Sequence, residues 1–391
     1  MTEATKARPK RRRRLLLLLL AISSVLTLAC GEVVARIATT RLDNGMSRIG
    51  PIVLLPFPQT TTPRAPSPDT KPDYIVPDAE LGWCTGPSVG DSNCRTNRQA
   101  ARGGPEAGYS REVPAGKLRV LTFGDSFTHC DEVGDAETWQ AQLNAIRPDV
   151  EAVNFGVPGY GTDQAFLRWR RESQSMAATV SMLCIWPENI CRNLNLDRLY
   201  LVPTGPSTRK PRFVLRDDRL ELIGQPCIAA PGIEASAAVA DVMQHDVWRI
   251  GDETEWRFHY HSRLARLAAS ALATWHRRDL RNALYSGEDP RGNEVTVAIC
   301  RQFVAEARDR GTRPVVVIIP MRDLLAEYPG GDRPLPLVRM LRESGIETWD
   351  LSPTFAAAPD LDGLNPPKRH MTGKGNRLIA ETLAGMLPKS P

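Results

Sequence analysis

The chain has 391 residues, of which 42% are hydrophobic, so it is long enough for one large domain with additional segments. Its formal net charge of +5 is localised: residues 1–14 contain seven Lys and Arg and one Glu, a charge of +6, which leaves the other 377 residues close to −1. Because no basic surface remains outside the N-terminus, the composition excludes a nucleic-acid partner as the main function.

A membrane segment is predicted at 15–31, directly after the basic segment 1–14. Residues 15–30 read LLLLLLAISSVLTLAC, and an apolar run behind arginines is typical of an export signal whose basic end stays in the cytoplasm. Sixteen residues lie at the short edge of a membrane span, so three outcomes stay open: a retained anchor, cleavage after Ala29, or lipidation of Cys30. We favour the anchor, because Thr27 makes TLAC a poor lipoprotein signal. Each outcome places the following domain in the periplasm or the extracellular space.

The next two segments are predicted to be irregular. Residues 32–78 form a linker with a proline-rich stretch at 51–78, which spaces a domain from the bilayer, and residues 79–116 form a lead-in that packs on the main domain. Export permits disulfides, and the chain has eight cysteines. Cys84 and Cys94 either close a short loop or remain thiols. Their spacing is not that of a zinc site, and we expect no metal or cofactor.

Residues 117–388 are predicted to form one α/β domain. Apolar runs predict strands at 118–123, 150–155, 179–186, 314–320 and 346–351, and helical stretches lie between them at 138–146, 162–174, 294–310 and 373–387. This alternation is typical of a doubly wound parallel sheet, here of about five strands. A stretch rich in arginine and aromatic residues, about 197–290, interrupts the alternation as an insertion in a position to select substrate.

Four short motifs follow the predicted strands. Ser126, in the Gly-Asp-Ser turn that ends the first strand, lies at the carboxyl edge of the sheet, where α/β folds bind ligands. Gly156, in NFGVPGYGTDQ, follows the second strand, and Asn189, in WPENICRN, follows the third. His370 comes immediately before the last helix. Each motif alone also has an ordinary structural explanation, such as a helix cap or a tight turn.

Taken in this order, the four motifs resemble those of the SGNH (GDSL-like) hydrolase superfamily over about 117–388. The resemblance is closest to membrane-anchored members that modify bacterial envelope or exopolysaccharide, and it implies a flavodoxin-like three-layer fold. It also implies that Ser126 is the nucleophile and His370 its base, and that the oxyanion receives hydrogen bonds from the amides of Ser126 and Gly156 and the side chain of Asn189.

Two departures from the family pattern leave alternatives open. Where the family often has Asn-Asp, this chain has Glu188-Asn189, and a shift of one residue would place Glu188, which cannot donate when ionised, at the donor position. The acid that usually lies two or three residues before the histidine is also missing. The group that orients His370 is then Asp362, Asp360 or a backbone carbonyl, or the Ser-His pair works without such a group.

The sequence therefore predicts a serine-dependent ester hydrolase or acyl (acetyl) transferase that acts outside the cytoplasm through an acyl-serine intermediate. By analogy with the family, its substrate is an O-acetylated glycan. The alternative is a catalytically silent SGNH domain that binds glycan or scaffolds an envelope assembly, which the missing acid favours. The oligomeric state is left open.

Overall fold

The computed structural model describes residues 8–42, 45–55, 74–203, 208–227, 242–249, 261–327 and 335–390. Residues 56–73 of the predicted linker, residues 1–7 of the basic segment and several parts of the predicted insertion, with Trp256 and Tyr260, lie outside these ranges.

The strands of the described residues are Thr39–Arg41 (β1), Ser47–Ile49 (β2), Ile52–Val53 (β3), Ile75–Asp78 (β4), Gly82–Thr85 (β5), Leu118–Phe123 (β6), Val150–Asn154 (β7), Val180–Ile185 (β8), Arg212–Arg216 (β9), Arg219–Ile223 (β10), Arg313–Ile318 (β11) and Thr348–Asp350 (β12). The helices are Arg8–Ile37 (α1), Ser126–His129 (α2), Trp139–Ile146 (α3), Thr162–Glu172 (α4), Asn189–Arg192 (α5), Arg198–Leu201 (α6), Arg263–Ser286 (α7), Arg291–Asp309 (α8), Arg322–Glu327 (α9), Pro336–Glu343 (α10), Ser352–Ala356 (α11), Leu361–Leu364 (α12) and Gly373–Met386 (α13).

The centre of the domain is a five-stranded sheet in the order β12-β11-β8-β6-β7. Each neighbouring pair is parallel. Numbered along the chain, this is the 2-1-3-4-5 order of flavodoxin-like folds, in which ligands bind where the strand order reverses. That point lies between the carboxyl ends of β6 and β8. The predicted doubly wound α/β sheet is confirmed.

Helices cover both faces of this sheet, because its strands are buried on both sides. Along β6, Leu121 and Phe123 contribute to one core, and Leu118 and Val120 contribute to the other, as the two-residue period of a strand requires. Helices α4, α8 and α10 pack into the first core, and α3 and α13 pack into the second. The result is the three-layer arrangement that the family resemblance implies.

The N-terminal helix α1 is longer than the apolar segment predicted at 15–31. Its residues Arg12–Ile37 have the length and composition to cross a membrane, and the leucines between 15 and 28 are more than half exposed. After α1 the chain forms the small antiparallel sheet β1–β3. All eight cysteines are free thiols, so the short loop that Cys84 and Cys94 could have closed is not formed.

A buried ion pair attaches the predicted insertion to the sheet domain. Lys210, just before the hairpin β9–β10, lies 2.5 Å from the carboxylate of Asp163 in α4, and both side chains are fully buried. Lys210 Nζ also donates to the backbone carbonyls of Arg192 and Asn195. The sequence pattern did not predict this hairpin, because its strands are short and pair only with each other.

We expect Lys210→Met to lower the free energy of unfolding by about 3–5 kcal/mol, because it leaves the Asp163 carboxylate buried without a cation. Urea unfolding of the detergent-solubilised full chain measures the change. The control is Glu221→Gln, in the exposed pair Arg216–Glu221, which should cost less than about 1 kcal/mol. Equal effects of the two substitutions would contradict the structural role of Lys210.

Candidate active site

The turn that carries Ser126 is shaped by its neighbours. Asp125 caps α2 by accepting a hydrogen bond from the Phe127 amide at 3.0 Å, and Ser126 is the first residue of that helix. Amides in the first turn of a helix have no acceptor within the helix, so the Ser126 N–H is available to a ligand. A Cβ at Gly124 would overlap Thr128 Oγ1 and lie 2.8 Å from the Cys184 carbonyl, so only glycine fits before Asp125.

His370 meets this serine at the edge of the sheet. Its Nε2 lies 2.9 Å from Ser126 Oγ, although 244 residues separate the two in sequence. His370 stands two residues before Thr372, the N-cap of α13, whose hydroxyl accepts from the Gly375 amide at 3.2 Å. The structure therefore brings together the two residues for which the sequence predicts nucleophile and base.

Glu132 lies on the other side of the imidazole. Its Oε1 is 3.2 Å from His370 Nδ1, and its Oε2 accepts a hydrogen bond from Arg369 Nε at 2.8 Å. Burial alone would raise the pKa of Glu132, but the hydrogen bonds from Arg369 and His370 outweigh it and hold the pKa below its ordinary value. Glu132 is therefore ionised at neutral pH.

The two carboxylates that the sequence analysis weighed for this position are engaged elsewhere. Asp362 forms an ion pair with Arg322, and its side chain is 75% exposed. Asp360 caps its own helix, α12, by accepting from the Gly363 amide at 2.9 Å. Glu132 was not predicted, because the family pattern places the acid just before the histidine, whereas this carboxylate lies six residues after Ser126. The signal available was the acidic run DEVGD at 131–135, so close to the serine turn.

The backbone at Glu132 is held in an uncommon conformation. Its φ is +74°, in the left-handed region that residues with a Cβ rarely adopt. Arg102, which is 4% exposed, holds the loop on both sides of it by donating to the carbonyls of His129, Cys130 and Val133 at 2.7, 2.6 and 2.5 Å. A strained residue that its surroundings over-determine is typical of functional sites.

His129, three residues after Ser126, has a different position in the site. Its Nε2 lies 2.8 Å from the Tyr74 hydroxyl and its Nδ1 lies 2.6 Å from Asp131 Oδ1, so both ring nitrogens have partners other than the serine. Burial lowers the pKa of His129, although Asp131 opposes the shift. Through these hydrogen bonds, His129 connects the loop that contains Glu132 to Tyr74, which directly precedes β4.

The predicted oxyanion donors lie around the serine turn, but they have protein acceptors. The Gly156 amide donates to Asn154 Oδ1 at 2.9 Å. Asn189 Nδ2 donates to Asp125 Oδ2 at 3.0 Å and to the Tyr160 carbonyl at 3.1 Å. To bind an oxyanion, each donor has to exchange one of these acceptors for the ligand. The roles of Gly156 and Asn189 therefore stay predictions.

The register at this motif favours Asn189 over Glu188. Glu188 accepts from Arg192 Nη2 at 3.2 Å, whereas the Asn189 side chain contacts the residue that precedes Ser126. Arg192 Nη1 also lies 2.9 Å from Asp125 Oδ2. Burial raises the pKa of Asp125, and the nearby charge of Arg192 opposes the shift. Asp125 is thus a structural link between the serine turn and α5.

Aromatic rings form one wall of the site. The ring of Phe127 stacks on Trp186 with 4.5 Å between centroids, and its centroid lies 4.8 Å from that of His370. The ring of Phe127 therefore packs beside the imidazole, and Glu132 contacts its Nδ1. Its side chain remains 25% exposed, which leaves the histidine accessible from solvent.

Solved structures similar to the chain include a member of the lipolytic protein G-D-S-L family from Veillonella parvula, at 10% identity and a TM-score of 0.36, which covers 69% of this chain and 98% of that one. An acetyl xylan esterase is 11% identical with a TM-score of 0.34, over 69% of this chain and 100% of its own. The lipase/acylhydrolase from Enterococcus faecalis is 11% identical with a TM-score of 0.33, over 70% and 99%. Neither a family model nor a curated protein matches the chain.

We expect Gly156→Ala to lower the free energy of unfolding by about 3 kcal/mol, because the new Cβ would overlap the His129 amide and force two backbone segments apart. Thermal unfolding of the purified full chain measures the effect. Gly385→Ala is the control, since a Cβ there meets nothing within 4 Å and alanine favours a helix. An alanine at 156 as well tolerated as one at 385 would mean that this loop does not pack closely on the serine turn.

Proposed function

We propose that the chain is a serine-dependent ester hydrolase or acyl transferase of the SGNH type. The observation that carries the proposal is the 2.9 Å distance between Ser126 Oγ and His370 Nε2 at the carboxyl edge of the sheet. A hydroxyl and an imidazole at this distance form an activated nucleophile, because the imidazole accepts the proton as the oxygen attacks. The motifs that resemble the SGNH superfamily supply the same two residues.

The first half of the reaction acylates the serine. Ser126 Oγ attacks the ester carbonyl carbon while its proton passes to His370 Nε2, which gives a tetrahedral oxyanion. The carbon–oxygen bond to the alcohol then breaks, and His370 returns the proton to the departing alkoxide. The products are the free alcohol and an acyl ester on Ser126.

The second half transfers the acyl group to an acceptor. His370 takes a proton from water in a hydrolase, or from a sugar hydroxyl in a transferase, and the acceptor oxygen attacks the acyl carbon. Collapse of the second intermediate releases Ser126, which regains its proton from His370. The same residues serve both outcomes, so the identity of the acceptor decides between the two activities.

Glu132 takes the role of the acid in this mechanism. With Oε1 at 3.2 Å, it accepts the Nδ1 proton of His370, which leaves Nε2 free to receive the serine proton. Its negative charge also stabilises the imidazolium that forms during each half-reaction. This contact supports the enzyme over a catalytically silent domain, because the argument for the silent domain was the missing acid.

The oxyanion is proposed to bind the amides of Ser126 and Gly156 and the side chain of Asn189. Loss of one such donor costs about 3–4 kcal/mol of transition-state stabilisation in serine hydrolases. Ester cleavage would then depend on the exchange of acceptors at Gly156 and Asn189 described above.

For the substrate we propose an O-acetylated glycan outside the cytoplasm. The support is the helix α1, which follows a basic segment and has the length and composition of a membrane span, together with the likeness of the motifs to membrane-anchored SGNH members. Positive residues stay on the cytoplasmic side, so the domain that follows α1 lies on the other side.

We expect Ser126→Ala to reduce kcat/KM on a chromogenic acetate ester by about a thousandfold or more, because the nucleophile is lost. The full chain in detergent is assayed, and thermal unfolding verifies that the variant folds. Ser175→Ala, at an exposed serine that bonds only the Glu172 carbonyl, is the matched control and should retain full activity. Equal hydrolysis by wild type and Ser126→Ala would favour the silent binding domain.

We expect Glu132→Gln to lower kcat on the same ester on the order of a hundredfold with KM nearly unchanged, because the amide has no charge to stabilise the imidazolium. Asp362→Asn and Asp360→Asn are matched controls that remove a nearby carboxylate without touching His370. The assignment of Glu132 fails if Asp362→Asn reduces kcat as much as Glu132→Gln does.

A further inference from the structure

Two exposed apolar side chains of the domain lie together on the helix α7. Outside α1, the large hydrophobic side chains exposed in the described residues are Leu272 at 65%, Trp275 at 59% and Met386 at 40%. Leu272 and Trp275 are one helical turn apart. A single exposed leucine needs no explanation, but an exposed tryptophan beside it indicates a surface that a partner covers.

The first residues of α7 contact α1 at the end of the apolar segment of α1. Glu32 of α1 accepts hydrogen bonds from the Arg263 and Leu264 amides at 3.0 Å each and from Ser262 Oγ at 2.8 Å. A carboxylate at this position satisfies the free amides of a helix N-terminus and opposes its dipole. Directly beside it, a Cβ at Gly31 would lie 3.1 Å from Leu264 Cδ2. The membrane-spanning helix and α7 therefore meet at the end of the apolar run.

The exposed residues lie on the side of α7 that faces α1. At 100° per residue, Trp275 is about 20° and Leu272 about 80° around the helix axis from Leu264, and Trp275 is about 16 Å farther along it. The leucines of α1 between 15 and 28 are more than half exposed, so α7 diverges from α1 instead of packing along it. Apolar side chains are therefore exposed both on α1 and on the side of α7 that begins at its contact with α1.

Farther along α7 the exposed face becomes polar. Asp279, Asn282 and Ser286 continue the same stripe and are exposed. His276 and Arg278, also exposed, lie on opposite sides of Trp275 around the helix axis. The apolar part of the stripe is thus confined to the half of α7 nearest α1, as expected for a helix that touches a bilayer with one end.

We propose that the first half of α7 lies on the bilayer that α1 enters, with Leu272 and Trp275 inserted at the boundary between headgroups and acyl chains. The proposal rests on α1 being a retained anchor. Tryptophan prefers this boundary because its ring is apolar and its N–H is polar, and a basic flank favours anionic headgroups. We expect the bilayer to cover the exposed face of α7, because this face begins at the point where α1 leaves the membrane.

This second contact fixes the orientation of the domain. A single anchor leaves the domain free to rotate about α1, whereas an anchor and a surface helix define one face toward the bilayer. Helix α7 contacts α5, the helix that begins at Asn189, and Arg281 Nη2 lies 4.0 Å from Glu188 Oε1. The bilayer therefore holds the edge of the sheet that carries Ser126 at a defined angle, which suits a substrate close to the membrane.

The test uses the full chain in lipid nanodiscs, made either with ordinary lipid or with lipid brominated near the headgroup end of the acyl chain. Bromine quenches tryptophan only on contact, so the quenched part of the emission reports rings in the membrane. We expect Trp275→Phe to remove most of the lipid-dependent quenching. Trp349→Phe, at a tryptophan that is 7% exposed, is the control and should leave the quenching unchanged.

Each other outcome overturns the proposal. If wild type and Trp275→Phe are quenched equally, Trp275 does not touch lipid, and cross-linking through Leu272→Cys then shows whether a second copy covers this face. If carbonate removes the full chain from vesicles, the anchor itself is absent. Ester hydrolysis by the same preparations is measured in parallel, so that failure of the membrane contact is distinguished from failure of the proposed activity.

Discussion

The proposed activity depends on one contact between distant parts of the chain, the hydrogen bond between Ser126 Oγ and His370 Nε2. The parallel sheet brings the two residues together. β6 ends at the centre of the carboxyl edge with the serine on a capped turn, and α13 packs against α3 on one face so that its N-terminal end reaches the same edge. The reversal of strand order between β6 and β8 leaves the space there for a ligand.

A second constraint comes from the segment before the sheet domain. The guanidinium of Arg102 is almost fully buried and donates to three backbone carbonyls on the two sides of Glu132, which holds Glu132 at a positive φ and directs its carboxylate to His370. Tyr74 reinforces the same loop through His129. The lead-in therefore supports the candidate site, and the proposed acid comes from the loop that follows Ser126 instead of the loop before His370.

The features that depend on local sequence patterns, such as single strands and the positions of the motifs, could be predicted. The strand at 118–123 was predicted with its observed bounds because its run is mainly apolar. His370 was identified as the candidate base because it comes just before the last helix, in the order of the four motifs. Glu132 could not be predicted, since its role depends on a left-handed backbone and on Arg102, thirty residues away. Asp362 was a candidate to orient His370 because it is near His370 in sequence, yet it forms an ion pair with Arg322. Contacts between segments are fixed by the tertiary structure alone.

A nucleophilic Ser126 activated by His370 reacts with a fluorophosphonate, which forms a stable covalent ester only with an activated hydroxyl. The measurement is to incubate the full chain with this reagent and to locate the adduct by tandem mass spectrometry. We expect one adduct per chain, on the peptide that contains Ser126, and no adduct in a His370→Ala variant. An adduct on a different residue, or an unmodified Ser126 in the folded wild type, would contradict the proposed activation of Ser126.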